Sequence, residues 1–153
     1  MSAEAGVTIR PAARTEAADI VPLYDWLFAP PGSQPASWNP EHAAAALRAL
    51  AVSGHGEVLL AEAGAETVGF CTVYLDIRSA RFGQRAWVED LAVHPGQRSR
   101  GVGKALLDAA KDWARDHGAV HLELDSAFVR EDAHRFYDRE EPSWTAVSFG
   151  WVL

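Results

Sequence analysis

The sequence predicts an α/β fold of the α+β kind: one mixed, mostly antiparallel central sheet with helices on both faces. Three observations predict it. Apolar-patterned segments at residues 57–62 and 68–77 flank Gly64-Ala65-Glu66, a hairpin signal. A strand, a glycine-containing loop and an amphipathic helix follow between residues 85 and 117. A second strand and helix come next, which completes a strand–helix–strand–helix unit.

The elements follow in order. Val7 to Arg10 reads as a short strand before Pro11. A helix is expected near Asp19, with Pro22 tolerated in its first turn and Ile20, Tyr24 and Leu27 on its apolar face. Residues 29–38, rich in Pro, Gly and Ser, form a loop. Asn39 then caps a helix that has Pro40 at its first position and Leu47 and Leu50 on its inner face, and Gly54 stops it. The hairpin strands are followed by a turn at Ser79 to Gly83 and a third strand, Arg85 to Val93. The long helix spans Gly101 to His117, with Val102, Leu106, Ala110 and Trp113 as its buried stripe and Gly118 as its stop. A strand at His121 to Asp125 precedes a helix through Ala133 to Tyr137. The tail, Ser143 to Leu153, is apolar and β-prone.

Composition excludes several classes. With 153 residues, 48% of them hydrophobic, the chain is expected to be one domain over residues 1–153 with a real core. A formal charge of −7 argues against a nucleic-acid partner. An acidic surface suits a cationic substrate such as an amine, and it equally serves solubility. Cys71 is the single cysteine and reads as a buried structural thiol, so neither an intrachain disulfide nor a cysteine metal cluster can form. His117 and His121 are four apart, but Gly118 breaks any helix between them, so no metal site is expected. The N-terminal MSAEAGVTIRP lacks a long apolar run after a basic start, and no stretch reaches membrane-spanning length. The expectation is a cytoplasmic protein with no membrane partner.

The segment VEDLAVHPGQRSRGVGKALL, residues 88–107, carries the chemistry. An apolar strand ends at Pro95-Gly96, and Arg98, Arg100, Gly101, Gly103 and Lys104 stand at the start of the helix. A helix N-terminus leaves backbone N–H groups unpaired and carries partial positive charge. Glycines let a ligand approach the backbone, so the order builds a cradle for phosphate or pyrophosphate. A P-loop would need Lys and Ser/Thr directly after Gly101, where Val102 and Gly103 stand. A dinucleotide fingerprint would need glycine at position 106, which is Leu106. A second motif is Arg130-Glu-Asp-Ala133-His-Arg-Phe136-Tyr137, in which Ala133, Phe136 and Tyr137 share a helical face.

Arg98-x-x-Gly101-x-Gly103 after a strand resembles the acyl-CoA pyrophosphate loop of the GCN5-related N-acetyltransferase (GNAT) family, and Ala133-x-x-Phe136-Tyr137 resembles the helix that lies beside the pantetheine arm. The resemblance runs from Val7 to about Val147. It implies a sheet splayed between its fourth and fifth strands, here 85–93 and 119–125, with acyl-CoA entering the gap. It implies acetyl-CoA as co-substrate, held at the pyrophosphate by the loop Arg98, Ser99, Arg100, Gly101, Val102, Gly103 and Lys104, with Arg98 the main charged contact. It implies that the backbones of Leu91, Ala92 and Val93 pair with the pantetheine amides, and that the Leu91 N–H polarises the thioester. It also places the acceptor site beside Trp26, Phe28 and Trp38, which core packing would explain equally well.

Acetyl transfer needs a neutral amine, a polarised carbonyl and protection of the leaving thiolate. Tyr137 is the expected general acid, because a phenol with a pKa of roughly 10 is protonated at neutral pH. Glu89 is the expected base, and Asp90 is the alternative. Strand alternation puts only one of them on the substrate side unless a bulge intervenes. A solvated edge, or an ion pair of Glu89 with Arg85, is the competing reading. Asp76 is a further candidate for gripping a cation. His94 reads as a turn residue that could relay a proton, and His134 as solvent-facing.

The sequence departs from the family at Arg130, where Asn is common, and at Glu140-Glu141-Pro142-Ser143, where a Gly-Phe pair often follows the helix. The expected function is an acetyl-CoA-dependent N-acetyltransferase acting on a small-molecule or peptide amine. Alternatives are transfer of a longer acyl group, a non-catalytic acyl-CoA sensor, or an unrelated nucleotide-binding domain. A homodimer through the apolar tail is expected from the family's habits.

Overall fold

The sheet is built around strands that are apolar on both sides. The computed structural model describes residues 6–153; residues 1–5, the start of the segment in which no signal peptide is expected, lie outside them. The elements are β1 (Val7–Pro11), α1 (Ala17–Ile20), α2 (Asp25–Phe28), α3 (Pro40–Val52), β2 (Gly56–Ala63), β3 (Glu66–Leu75), β4 (Arg85–Val93), α4 (Val102–Asp116), β5 (His121–Glu123) and α5 (Glu131–Arg139). The strand order is β1-β2-β3-β4-β5, antiparallel as far as β4, with β5 parallel to β4.

Val58, Leu59, Leu60 and Ala61 are all buried, so β2 reads as a continuous apolar run. Val58 and Leu60 face a core shared with Phe70, Ala92, Ile20, Tyr24 and Leu47. Leu59 and Ala61 face the opposite core, with Cys71, Val73, Val88, Val102, Leu106 and Ala110. α4 covers that second face with the stripe its sequence spacing predicts. Side chains such as Phe70 and Leu106, both 0% exposed, each stabilise the fold by about 1.5–3 kcal/mol.

Local chemistry sets the boundaries. Asn39 Oδ1 accepts from the N–H groups of Glu41 and His42 at 2.9 and 3.0 Å, which fixes the start of α3. The hairpin turn is Gly64-Ala65, and Gly64 takes φ 64°.

Three expectations need correction. The helix near Asp19 is a chain of single turns from Arg14 to Phe28, because Pro22 supplies no N–H and the run tightens to 3₁₀ geometry at Val21–Tyr24. The strand after α4 covers only His121–Glu123. The tail from Ser143 to Leu153 forms no strand, and its Trp144, Val147, Phe149 and Trp151 are exposed.

A bulge in β4 has wider effects. Thr72 pairs with Asp90 and Val73 with Val88, so Glu89 is the extra residue. Without it Val88 and Ala92 would share a face. With it Val88 packs under α4, while Ala92 packs against the α1–α3 side.

Candidate active site

β4 and β5 pair only from Arg85 to Trp87 against His121 to Glu123. From Val88 to Val93 the β4 edge facing β5 has no strand partner among the described residues, and this is the splay. Backbone polarity along it can be read from one bond. His94 N–H donates to Val68 O at 2.8 Å, so His94 and, by alternation, Ala92 direct their polar groups toward β3. The N–H and C=O groups of Leu91 and Val93 therefore face the open side. Ala92 differs from the expectation for it: its backbone serves β3 and its side chain is in the core.

The edge runs directly into the loop. His94 Nδ1 accepts from Gly96 N–H at 2.9 Å and closes a single 3₁₀ turn over Pro95–Gln97. His94 also meets Trp26 edge-on at 5.2 Å. It is a structural turn residue. Arg98 is extended, Ser99 has φ 60° and Gly101 has φ 83°, so the backbone curls before α4 begins at Val102. No side chain caps α4. The first-turn N–H groups of Val102, Gly103 and Lys104 have no carbonyl one turn back within the helix. Arg98, Ser99 and Arg100 are exposed, and neither arginine forms an ion pair among the described residues. Lys104 is already engaged, with Asp108 at 3.0 Å and Glu140 at 3.2 Å, and these two carboxylates raise its pKa. Val102 contributes its backbone only, since its side chain is buried under the sheet.

α5 lies across the opening. At one end Phe136 packs on the first turn of α4, where a Cβ added to Gly103 would meet its ring at 3.5 Å. At the other end Arg130 Nη2 donates to Leu27 O at 3.0 Å, which ties α5 to α2. Tyr137 follows Phe136 at the α4 end, with the two rings 5.0 Å apart. Its hydroxyl makes no hydrogen bond to a described residue, and burial pushes its pKa up to about 12 against the opposing charge of Arg130. His134, expected at the surface, is half-buried and has Nε2 3.1 Å from Ser126 O.

The bulge presents both acidic residues toward one face. Asp90 Oδ2 accepts from Tyr24 Oη at 2.7 Å and from Thr72 Oγ1 at 3.2 Å, and Asp90 N–H donates to Thr72 Oγ1 at 3.0 Å. Burial raises the Asp90 pKa, while the two hydroxyl donors pull it back. Glu89 is exposed, and Tyr74 Oη donates to its Oε2 at 3.4 Å. Burial, then the Glu89 charge, pushes Tyr74 up to about 12. Arg85 pairs with Asp76 at 2.7 Å and Glu123 at 3.4 Å, not with Glu89. Asp76 is therefore held in an ion pair.

Trp26, Phe28 and Trp38 pack around Tyr24 and the α1–α3 core. Phe28 and Trp38 stand 4.7 Å apart, edge to face. Among the described residues no cluster of three metal-ligating side chains occurs. The sequence reading missed two members of the site, Tyr24 as the partner of Asp90 and Arg130 as the bridge to Leu27. The departure at Arg130 was the one signal for the second.

Comparison with known proteins adds to this geometry. The model of the acetyltransferase (GNAT) family matches residues 20–140. The uncharacterized N-acetyltransferase YhfO of Bacillus subtilis (strain 168) is 31% identical over 135 residues, 87% of each protein. The uncharacterized N-acetyltransferase YhdJ of the same organism is 49% identical over 55 residues, 36% of this chain and 39% of that protein. The aminoglycoside N-acetyltransferase AAC(6')-Iy, solved in complex with CoA, has a TM-score of 0.81 over 97% of this chain and 95% of that one, at 16% identity, a likeness of fold.

Proposed function

Because the chain belongs to the acetyltransferase (GNAT) family, we propose that it moves an acetyl group from acetyl-CoA to a primary amine of a small molecule or peptide, by direct attack in a ternary complex. In this reading residues 1–153 act as one acyl-CoA N-acyltransferase domain. The observation that carries it is continuity. The β4 edge left open by β5 runs straight into a loop, residues 98–104, whose N–H groups, and whose Arg98 and Arg100 side chains, have no partner among the described residues.

The chain's residues then divide the work. The N–H groups of residues 98–104, with Arg98 and Arg100, hold the pyrophosphate. Leu91 and Val93 offer the pantetheine amides a strand edge to pair with, and Ala92 keeps that edge anchored to the core. The Leu91 N–H polarises the thioester carbonyl. Glu89, solvent-facing on the bulge, takes the proton the amine must lose. The nitrogen–carbon bond forms as the carbon–sulfur bond breaks. Full transfer from a phenol near 12 to a thiolate of ordinary basicity, near 8.5, would cost about 5 kcal/mol. Tyr137 therefore keeps its proton and steadies the departing thiolate by donating a hydrogen bond, and the thiolate leaves as such and exchanges protons with solvent.

The proposed assembly is a homodimer. The exposed Trp144, Val147, Phe149 and Trp151 of the tail make an apolar surface suited to association. The proposed compartment is the cytoplasm. Among the described residues no helix is long and apolar enough to cross a membrane.

Calorimetric titration with acetyl-CoA, followed by an amine panel with detection of released thiol, tests the reading. Binding with thiol release for an amine is the expected result. Binding without release across the panel would favour a sensor, and no binding would overturn the assignment of residues 88–107.

A further inference from the structure

Arg130 stands out as a cation without a counter-ion. It is half-buried, yet no carboxylate lies within 4.0 Å of its guanidinium among the described residues. Among the described residues its one side-chain hydrogen bond goes to a neutral carbonyl, Leu27 O, at 3.0 Å. Its other N–H groups are not among the buried polar atoms left without partners, so they reach open space. Gly32, in the loop after α2, lies beside this bridge: a Cβ there would clash first with the Leu27 carbonyl oxygen and then, at 2.7 Å, with Arg130 Nη2, so the backbone itself requires the glycine where Arg130 meets Leu27 O.

The position adds meaning. Leu27 is three residues, about one helical turn, beyond Tyr24, whose hydroxyl holds Asp90. One short stretch of chain thus touches an anion at Asp90 and a cation at Arg130. Glu89 stands next to the first on the bulge, and the charge of Arg130 is felt at Tyr137. A simple amine would use only the acidic side of such a site.

We propose that Arg130 reads the acceptor: the preferred substrate is an amine that also carries a compact anionic group, a carboxylate or a phosphonate, which the guanidinium's free donors bind. This rests on the acetyltransferase reading and narrows its substrate class. A planar guanidinium with spare N–H groups suits oxyanions held by two parallel hydrogen bonds, and it stays charged at any working pH.

The test uses matched acceptors on the whole protein with acetyl-CoA: β-alanine against propylamine, and 2-aminoethylphosphonate against ethylamine. The acid-bearing member of at least one pair is expected to give a kcat/KM about 10- to 100-fold higher, as a charged hydrogen bond would supply. Arg130→Gln should raise KM for the acid-bearing member and so collapse that preference, a loss larger than any that the missing charge passes to both members through Tyr137 and kcat. Arg130→Lys should restore part of it. Equal rates within both pairs in the wild type would overturn the inference and leave the acetyltransferase reading standing. So would a loss in Arg130→Gln that falls on both members alike, which marks a purely structural bridge. Failure to bind acetyl-CoA would overturn both.

Discussion

The Tyr24 hydroxyl donates to Asp90 Oδ2 at 2.7 Å, joining residues 66 positions apart. The bond ties the single-turn helices of the α1–α2 segment to the bulged part of β4. Its value depends on charge. Burial raises the pKa of Asp90, so its native value lies above the unfolded value of about 3.9. The native state holds that proton to higher pH, and its stability falls as pH rises through this window. Above the native pKa the ionised carboxylate relies on Tyr24 and Thr72. Tyr24→Phe should therefore raise the Asp90 pKa further. It should cost about 1–3 kcal/mol near neutral pH and less in acid. Chemical denaturation at two pH values checks this. An equal loss at both would mean that Tyr24 acts only through packing.

Glu89 and Asp90 predict different outcomes. Glu89 is exposed on the bulge, so Glu89→Gln should leave the melting temperature nearly unchanged and lower kcat about 100-fold at neutral pH. The deficit should shrink at high pH, where the amine arrives already neutral. Asp90→Asn should leave the melting temperature near neutral pH unchanged or higher and flatten its fall with rising pH, because the amide oxygen still accepts from Tyr24 while the buried charge is gone. The kcat/KM–pH profiles of both variants decide which carboxylate takes the proton.

For the loop, Arg98→Ala should weaken acetyl-CoA binding at least tenfold without moving the melting temperature, since Arg98 is exposed and forms no ion pair among the described residues. Gly101→Glu adds a negative charge at a residue with φ 83°, so it should abolish binding and cost roughly 1–2 kcal/mol of stability. Calorimetry and thermal melts separate the two effects.

Tyr137→Phe breaks no hydrogen bond to a described residue, so the fold should hold and acetyl-CoA affinity should change little. Turnover should fall by about 10- to 100-fold, the contribution of a donor to developing charge. Unchanged kcat with the best acceptor would remove Tyr137 from the chemistry.

Much of the fold was legible because its signals are local. Gly64-Ala65 marks the hairpin, Asn39-Pro40 marks the start of α3, and the Val102–Leu106–Ala110 stripe marks α4. The turn between β4 and α4 was legible as a turn for the same reason, since Pro95, Gly96 and Gly101 mark it locally. The site's long-range joints were not. Tyr24 read as an apolar-face residue, and its bond to Asp90 depends on a bulge that exists only when β3 and β4 are paired. Arg130 and Leu27 meet across 103 positions. The tail misled because its β propensity speaks for a strand, and a strand needs a neighbour that β5, three residues long, does not supply.

Cys71 lies at the centre of β3, 0% exposed and sealed beneath α4, and burial pushes its thiol well above the usual range. A sulfhydryl dye can reach it only when the sheet and α4 part company. The rate of its labelling in native buffer therefore works as a stopwatch for that opening, slowing tenfold for each 1.4 kcal/mol of added stability. Bound acetyl-CoA, by holding α4 through its first turn, would lengthen the count. The same dye mixed with turning-over enzyme would record product release on a far faster scale, so one reagent would follow both catalysis and the loosening of the core.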